Sequence, residues 1–146
     1  MIAPGMGHLQ KHGVIDAPPA AVYRYIADVH HAPRFISAIT RITSGPDGPA
    51  VVGQRYGADA TFMGQPAVLT LRVLELVPDH TVRLALEGDP AATLTLRLAP
   101  ARNGQATRVD ARLDVPAVPG LLLQMVMGGM LDESMTRLAQ ALRQEA

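Results

Sequence analysis

The chain has no cysteine and no tryptophan among its 146 residues. Without cysteine, disulfide scaffolds, thiolate metal sites and a cysteine nucleophile are all excluded. Aromatic residues make up only 3% of the chain. Rings usually supply much of a core's bulk. Here Leu, Val, Ala and Met must fill the interior, and a ligand stacked between several rings is not expected. Neither sign of charge is in excess, because 13 basic and 13 acidic side chains cancel. Nucleic-acid-binding domains normally carry a basic excess, so no nucleic-acid partner is expected. No apolar run approaches the ~18 residues of a membrane span. The longest candidate, Leu121–Met127, is broken by Gln124. The first ten residues lack a basic flank before an apolar core, so no secretory leader is expected. These absences point to a cytoplasmic protein with no stable membrane insertion.

What is present fits one globular domain over residues 1–146, with residues 1–7 expected to be flexible. Apolar residues make up 48% and charged residues 18%, ordinary values for such a domain. His8–Asp16 reads as a first strand, stopped by Pro18 and Pro19. Those prolines suit the first turn of a helix over Ala17–Asp28, where Val22 and Ile26 lie one turn apart. Asp28 can cap a second short helix at Val29–Ala32, with Pro33 and Phe35 leading out. An unbroken series of strand-like runs then extends from Ile39 to Val115. Turn signals separate the runs at Gly45–Pro49, Gly64–Pro66, Pro78–His80, Gly88–Pro90 and Asn103-Gly104. In the last run Val109, Ala111, Leu113 and Val115 share one face. Arg108, Asp110, Arg112 and Asp114 share the other, a pattern that fits cross-strand pairing in water. One wet face and one apolar face are the habit of antiparallel sheets.

A final helix is expected from Leu121 to about Arg143. Its second half carries one stripe, Leu131, Met135, Leu138 and Leu142. Its first half, Leu121–Met130, is uncharged and apolar all round, which predicts burial under the loops. If uncovered, it becomes a candidate surface for a homodimer or a membrane. One terminal helix against one large antiparallel sheet tends to be wrapped by it. A wrapped sheet can enclose a cavity, and that points to a small apolar ligand.

The strings "VIDAPPAAVYRYIADVHHAPRF", "VVGQRY", "LRVLELVPDHTVRLAL" and "NGQATRVDARLDV" occur in this order. Together they resemble the polyketide cyclase/dehydrase and START-like (SRPBCC, helix-grip, birch-pollen-allergen-like) superfamily, over roughly Val14 to Leu142. Members often carry a Trp soon after the second-helix proline, where this chain has Arg34-Phe35. The resemblance implies an α+β helix-grip fold. A curved seven-stranded antiparallel sheet would wrap a long C-terminal helix, with two short helices after the first strand. It also implies an elongated apolar cavity that binds lipids, quinones, sterols, hormones or polyketides. Some members are cyclases, and fold alone does not select among these roles.

The candidate ligand-binding residues are Tyr56, Phe62, Leu84, Leu86, Leu96 and Val109 from the sheet and Leu123, Met127 and Leu131 from the helix. A filled core is the competing reading for each. Ala58, Ala60, Ala111 and Gly128-Gly129 favour unfilled volume, or equally a closer helix. Arg72 and Glu75 are an odd number of residues apart on one strand, so without a bulge they face opposite ways. The odd face is the more apolar, which turns Glu75 inward; a bulge, or escape to water beside Pro78, would turn it out. An inward Glu75 or Tyr56 could serve as an acid–base group of a cyclase-like enzyme, with Arg72 as anion stabiliser in the other register. Tyr56 could instead be a core ring with its hydroxyl at the surface. His30 and His31 diverge by ~100° on a helix and do not converge on one ion. The glycine-rich Gly45–Gly53 lacks the Lys-Ser/Thr of a phosphate loop. No residue is assigned as catalytic, and no metal or cofactor is expected.

Overall fold

The computed structural model describes residues 7–62, 64–88 and 91–145, apart from the side chains of residues 126 and 145. Seven strands form one antiparallel sheet: β1 (Gly7–Ile15), β2 (Ile39–Ser44), β3 (Arg55–Phe62), β4 (Gln65–Val77), β5 (Thr81–Glu87), β6 (Ala92–Ala101) and β7 (Ala106–Val115). Their spatial order is β1-β7-β6-β5-β4-β3-β2. The hairpins from β2 to β7 each pair neighbours in sequence. The one long connection, from β1 to β2, carries the helices α1 (Pro19–Ile26) and α2 (Ala32–Phe35). The long helix α3 (Gly120–Glu145) lies in the concave side of the curved sheet, packed most closely on β1 and α2.

Local chemistry sets the helix bounds. Expected from Ala17, α1 starts only at Pro19, because Pro18 before it is held extended at φ −67° and ψ 155°. Asp28 caps the next turn by accepting the His30 N–H at 3.0 Å. Pro33 and Phe35, expected to lead out of the short helix, lie inside α2 instead. A proline in the first turn gives up no hydrogen bond. Strand β1 begins at Gly7, paired with Val115. The expected turn at Gly88-Asp89-Pro90 falls partly outside the described residues.

The alternation of β7 holds in three dimensions. Val109, Ala111, Leu113 and Val115 are buried. The charges on its other face pair along the strand rather than across it: Arg108–Asp110 at 3.5 Å and Arg112–Asp114 at 3.1 Å. The cross-strand partners of Arg112 are Gln10 and Thr95, which offer it no charge. Such exposed pairs contribute about 0–1 kcal/mol each. Two contacts seat α3. Gly13 lets Met135 come against β1, since a Cβ there would stand 3.1 Å from the Met135 Cγ. Lys11 on β1 reaches Asp132 at 3.6 Å. Among the described residues no helix is long and apolar enough to cross a membrane.

Candidate functional site

Wrapping a sheet around one helix encloses volume that side chains must fill. In this chain they do not fill it. A cavity of about 140 Å³ remains between the concave face and α3. Its floor is Leu94, Leu96, Val109, Ala111, Leu113 and Val115 from β6 and β7. Its roof is Met127, Met130, Leu131, Ser134, Met135 and Leu138 from α3. Phe35 to Ala38, leading out of α2, make one side. On the β3–β4 side it is lined by Ala67 and by Val68, which is 79% exposed.

The lining is almost wholly apolar. Both phenylalanines of the chain and three of the four methionines among the described residues contribute. Among the described residues that line it, none is ionisable, and only Ser37, Thr61 and Ser134 carry a polar side chain. Small residues hold the space open. Ala60 and Ala111 line the cavity, whereas Ala58 is in the packed core and Gly128 faces its own helix neighbour Gln124.

Of the residues expected from the sequence, Phe62, Leu86, Leu96, Val109, Met127 and Leu131 line this cavity. Leu84 and Leu123 are buried in the surrounding core but do not line it. Tyr56, 1% exposed, shares the inward face yet points toward the opposite end. Its ring meets His30 edge-on at 5.6 Å, and its hydroxyl donates to the Gln54 Oε1 at 3.0 Å. Burial, and then the negative charge of Asp28, push its phenol above the ordinary value. Gly45 packs on the same ring; its φ of +131° and the lack of room for a Cβ both demand glycine.

Glu75 corrects the sequence reading. A bulge at Leu74 shifts the β4–β5 register: Val73 pairs with Leu84, but Glu75 pairs with Arg83 and Leu76 with Val82. The extra residue reverses parity. Leu71 and Val73 point inward before it, Leu76 after it, and Glu75 joins Arg83 on the outer face. Arg72 lies on that face too, 3.4 Å from Glu87. The three side chains considered for acid–base chemistry therefore do not meet in the cavity. The histidine rings diverge as expected: the His30 Nε2 is 2.8 Å from the Pro46 carbonyl, and the His31 Nδ1 is 2.8 Å from that of Tyr25.

The first half of α3 also departs from expectation. Leu121 and Met125 are 78% and 75% exposed, with Leu122 beside them. Among the described residues this turn presents apolar surface to water.

Sequence reasoning missed Phe35, Ser37, Val68, Met130 and Ser134 among the lining residues. Ser134 carried a usable signal. It sits three residues after Leu131 and four before Leu138, on the inward stripe. Phe35, just after the Pro33 of α2, supplies a ring to the cavity wall.

A seven-stranded sheet gripping a C-terminal helix over an apolar hollow defines the helix-grip fold. Residues 6–146 match the family described as polyketide cyclase / dehydrase and lipid transport, and the chain belongs to that family. No curated protein matches it in sequence. Solved structures share the fold. A START superfamily protein from Mycobacterium smegmatis is 17% identical with a TM-score of 0.79, covering 95% of this chain and 99% of that one. A Streptomyces aromatase/cyclase is 14% identical with a TM-score of 0.74, covering 94% of each chain. A protein from Chromobacterium violaceum is 23% identical with a TM-score of 0.70, covering 92% and 96%.

Proposed function

We propose that the protein binds and carries a small apolar molecule in the cavity beneath α3. The observation that supports this most strongly is the lining itself: a cavity walled by Leu, Val, Met and Phe, with no ionisable side chain among the described residues that line it. Apolar cavities of ~150 Å³ stay dry and take up molecules the size of benzene. Dry apolar volume is a standing cost to the empty protein, since its lining lacks contacts on one side. A ligand that supplies those contacts is bound by dispersion and by its own escape from water.

Carriage accounts for these residues better than catalysis. General acid–base work needs a titratable group within ~3 Å of the reacting atom. Glu75 and Arg72 lie on the outer face, and Tyr56, though inward, does not line the hollow. Lipid-like or polyketide-like ligands fit the family description, and their enclosed part would have to be about the size of one ring.

Native mass spectrometry of protein taken directly from cells tests the reading. The expected result is a bound neutral species that leaves on denaturation, together with saturable uptake of toluene by stripped protein. Stripped protein that takes up no apolar probe would end the proposal.

A further inference from the structure

Of the three polar side chains that line the cavity among the described residues, two sit together. Ser37 follows α2 and Ser134 lies on α3, and both line the same wall. The Ser37 N–H donates to the Ser134 Oγ at 3.1 Å. The Ser134 hydroxyl donates to the Ser37 Oγ at 3.4 Å, and the Ser37 hydroxyl donates to the Met130 carbonyl at 3.4 Å. A good O–H···O bond spans ~2.5–3.0 Å. Both hydroxyl bonds are therefore stretched, and either hydrogen can turn to a better acceptor. Each oxygen also keeps a free lone pair. Two half-buried hydroxyls held loosely at the edge of an apolar hollow are a place for one ligand oxygen.

Charge narrows the choice further. No Lys, Arg or His lines the cavity among the described residues. Residues 1–6, 63, 89, 90 and 146, outside the description, include no basic side chain either. A carboxylate entering here would lose its hydration with nothing to replace it.

Resting on the ligand-carrying reading above, we infer that the cavity selects a neutral amphiphile. Its apolar body is about one ring in size. Its single hydroxyl or carbonyl oxygen is held by Ser37 and Ser134. Ionised acids of the same size are turned away.

Toluene, phenol and benzoate form a matched set that separates the parts of this inference. Near neutral pH, calorimetry and methyl NMR of Met127 and Met130 would give the three affinities. Wild-type protein should bind toluene and phenol, and benzoate at least about tenfold more weakly than phenol. In the S37A/S134A variant the phenol-to-toluene affinity ratio should fall about fivefold, the net worth of one hydrogen bond. S37A alone keeps the residue 37 N–H bonded to Ser134 and gives the same ratio test should the double variant fail to fold. An unchanged ratio with both probes still bound overturns the seat for the oxygen and leaves the carrier reading standing. Benzoate binding as tightly as phenol overturns the exclusion of acids. Failure of toluene and phenol alike to bind overturns the carrier reading itself, and this inference with it.

Discussion

Replacing Ala111 by leucine distinguishes a hollow interior from a filled one by the sign of its effect. Ala111 lies on β7, 4% exposed, and faces the cavity. The substitution adds three carbon atoms. Placed in empty apolar volume they contribute about 2.4 kcal/mol, at ~0.8 kcal/mol per buried group. Fixing the leucine rotamer costs about 0.5–1 kcal/mol. The net gain is about 1.5–2 kcal/mol. For a chain of this size that raises Tm by about 3–8 °C, at ~2–4 °C per kcal/mol. Denaturant melts should show a higher midpoint with an unchanged m-value, since the surface exposed on unfolding barely alters. Toluene affinity should drop at least about tenfold, because the probe and the new side chain compete for one space. A filled core predicts the reverse. Overpacking there costs about 1–3 kcal/mol, and no probe binding exists to be lost. A Tm that falls on making A111L would refute the cavity as the basis of function.

Four further outcomes follow from other parts of the molecule. Gly45→Ala should destabilise by about 1–3 kcal/mol in a denaturant melt, because Gly45 sits at φ +131° against the Tyr56 ring; an unchanged midpoint would contradict that packing. Glu75→Gln should leave toluene affinity unchanged and stability within about 0.5 kcal/mol, whereas a large loss of binding would place Glu75 inward after all. The Tyr56 phenol is raised above its usual 10.0 by burial and then by Asp28, so the folded state holds its proton longer than the unfolded chain. That contribution to stability is complete below pH 10.0 and is lost as pH climbs through the folded value. Y56F should accordingly flatten the alkaline fall, and an identical fall would refute the assignment. Finally, exposed Leu121, Leu122 and Met125 should make the wild type self-associate weakly at high concentration. M125E should abolish this in sedimentation, and a wild type that stays monomeric throughout would remove the homodimer expectation.

The positions of strands and helices along the chain were legible because proline, glycine and two-residue alternation mark them in the sequence, whereas the pairing of β1 with β7 carries no local mark. Pro18-Pro19, the charged and apolar faces of β7, and the Leu131–Leu142 stripe each point one way. Glu75 was not legible for a definite reason. Its orientation turns on one extra residue at Leu74, and no Gly or Pro marks the bulge. A single insertion reverses every side chain beyond it. Exposure of Leu121 and Met125 escaped for a different reason. Hydrophobicity states what a residue gains from cover, and only the fold decides whether cover is within reach.

The cavity follows from what the chain has too little of. A curved seven-stranded sheet around one helix encloses a volume set by backbone geometry, with strands 4.7–4.9 Å apart and the helix standing off by its own side chains. Rings fill such volume most efficiently, because Phe, Tyr and Trp each bury ~150–250 Å². This chain offers no Trp, three Tyr and two Phe. Both phenylalanines already stand in the cavity wall, while Tyr25 and Tyr56 are spent on packing against His31 and His30 and do not line it. Alanine then faces the hollow at positions 38, 60, 67, 92 and 111. Restoring bulk at one of these should close the space without disturbing the fold. That makes the shortage of rings a cause of the cavity.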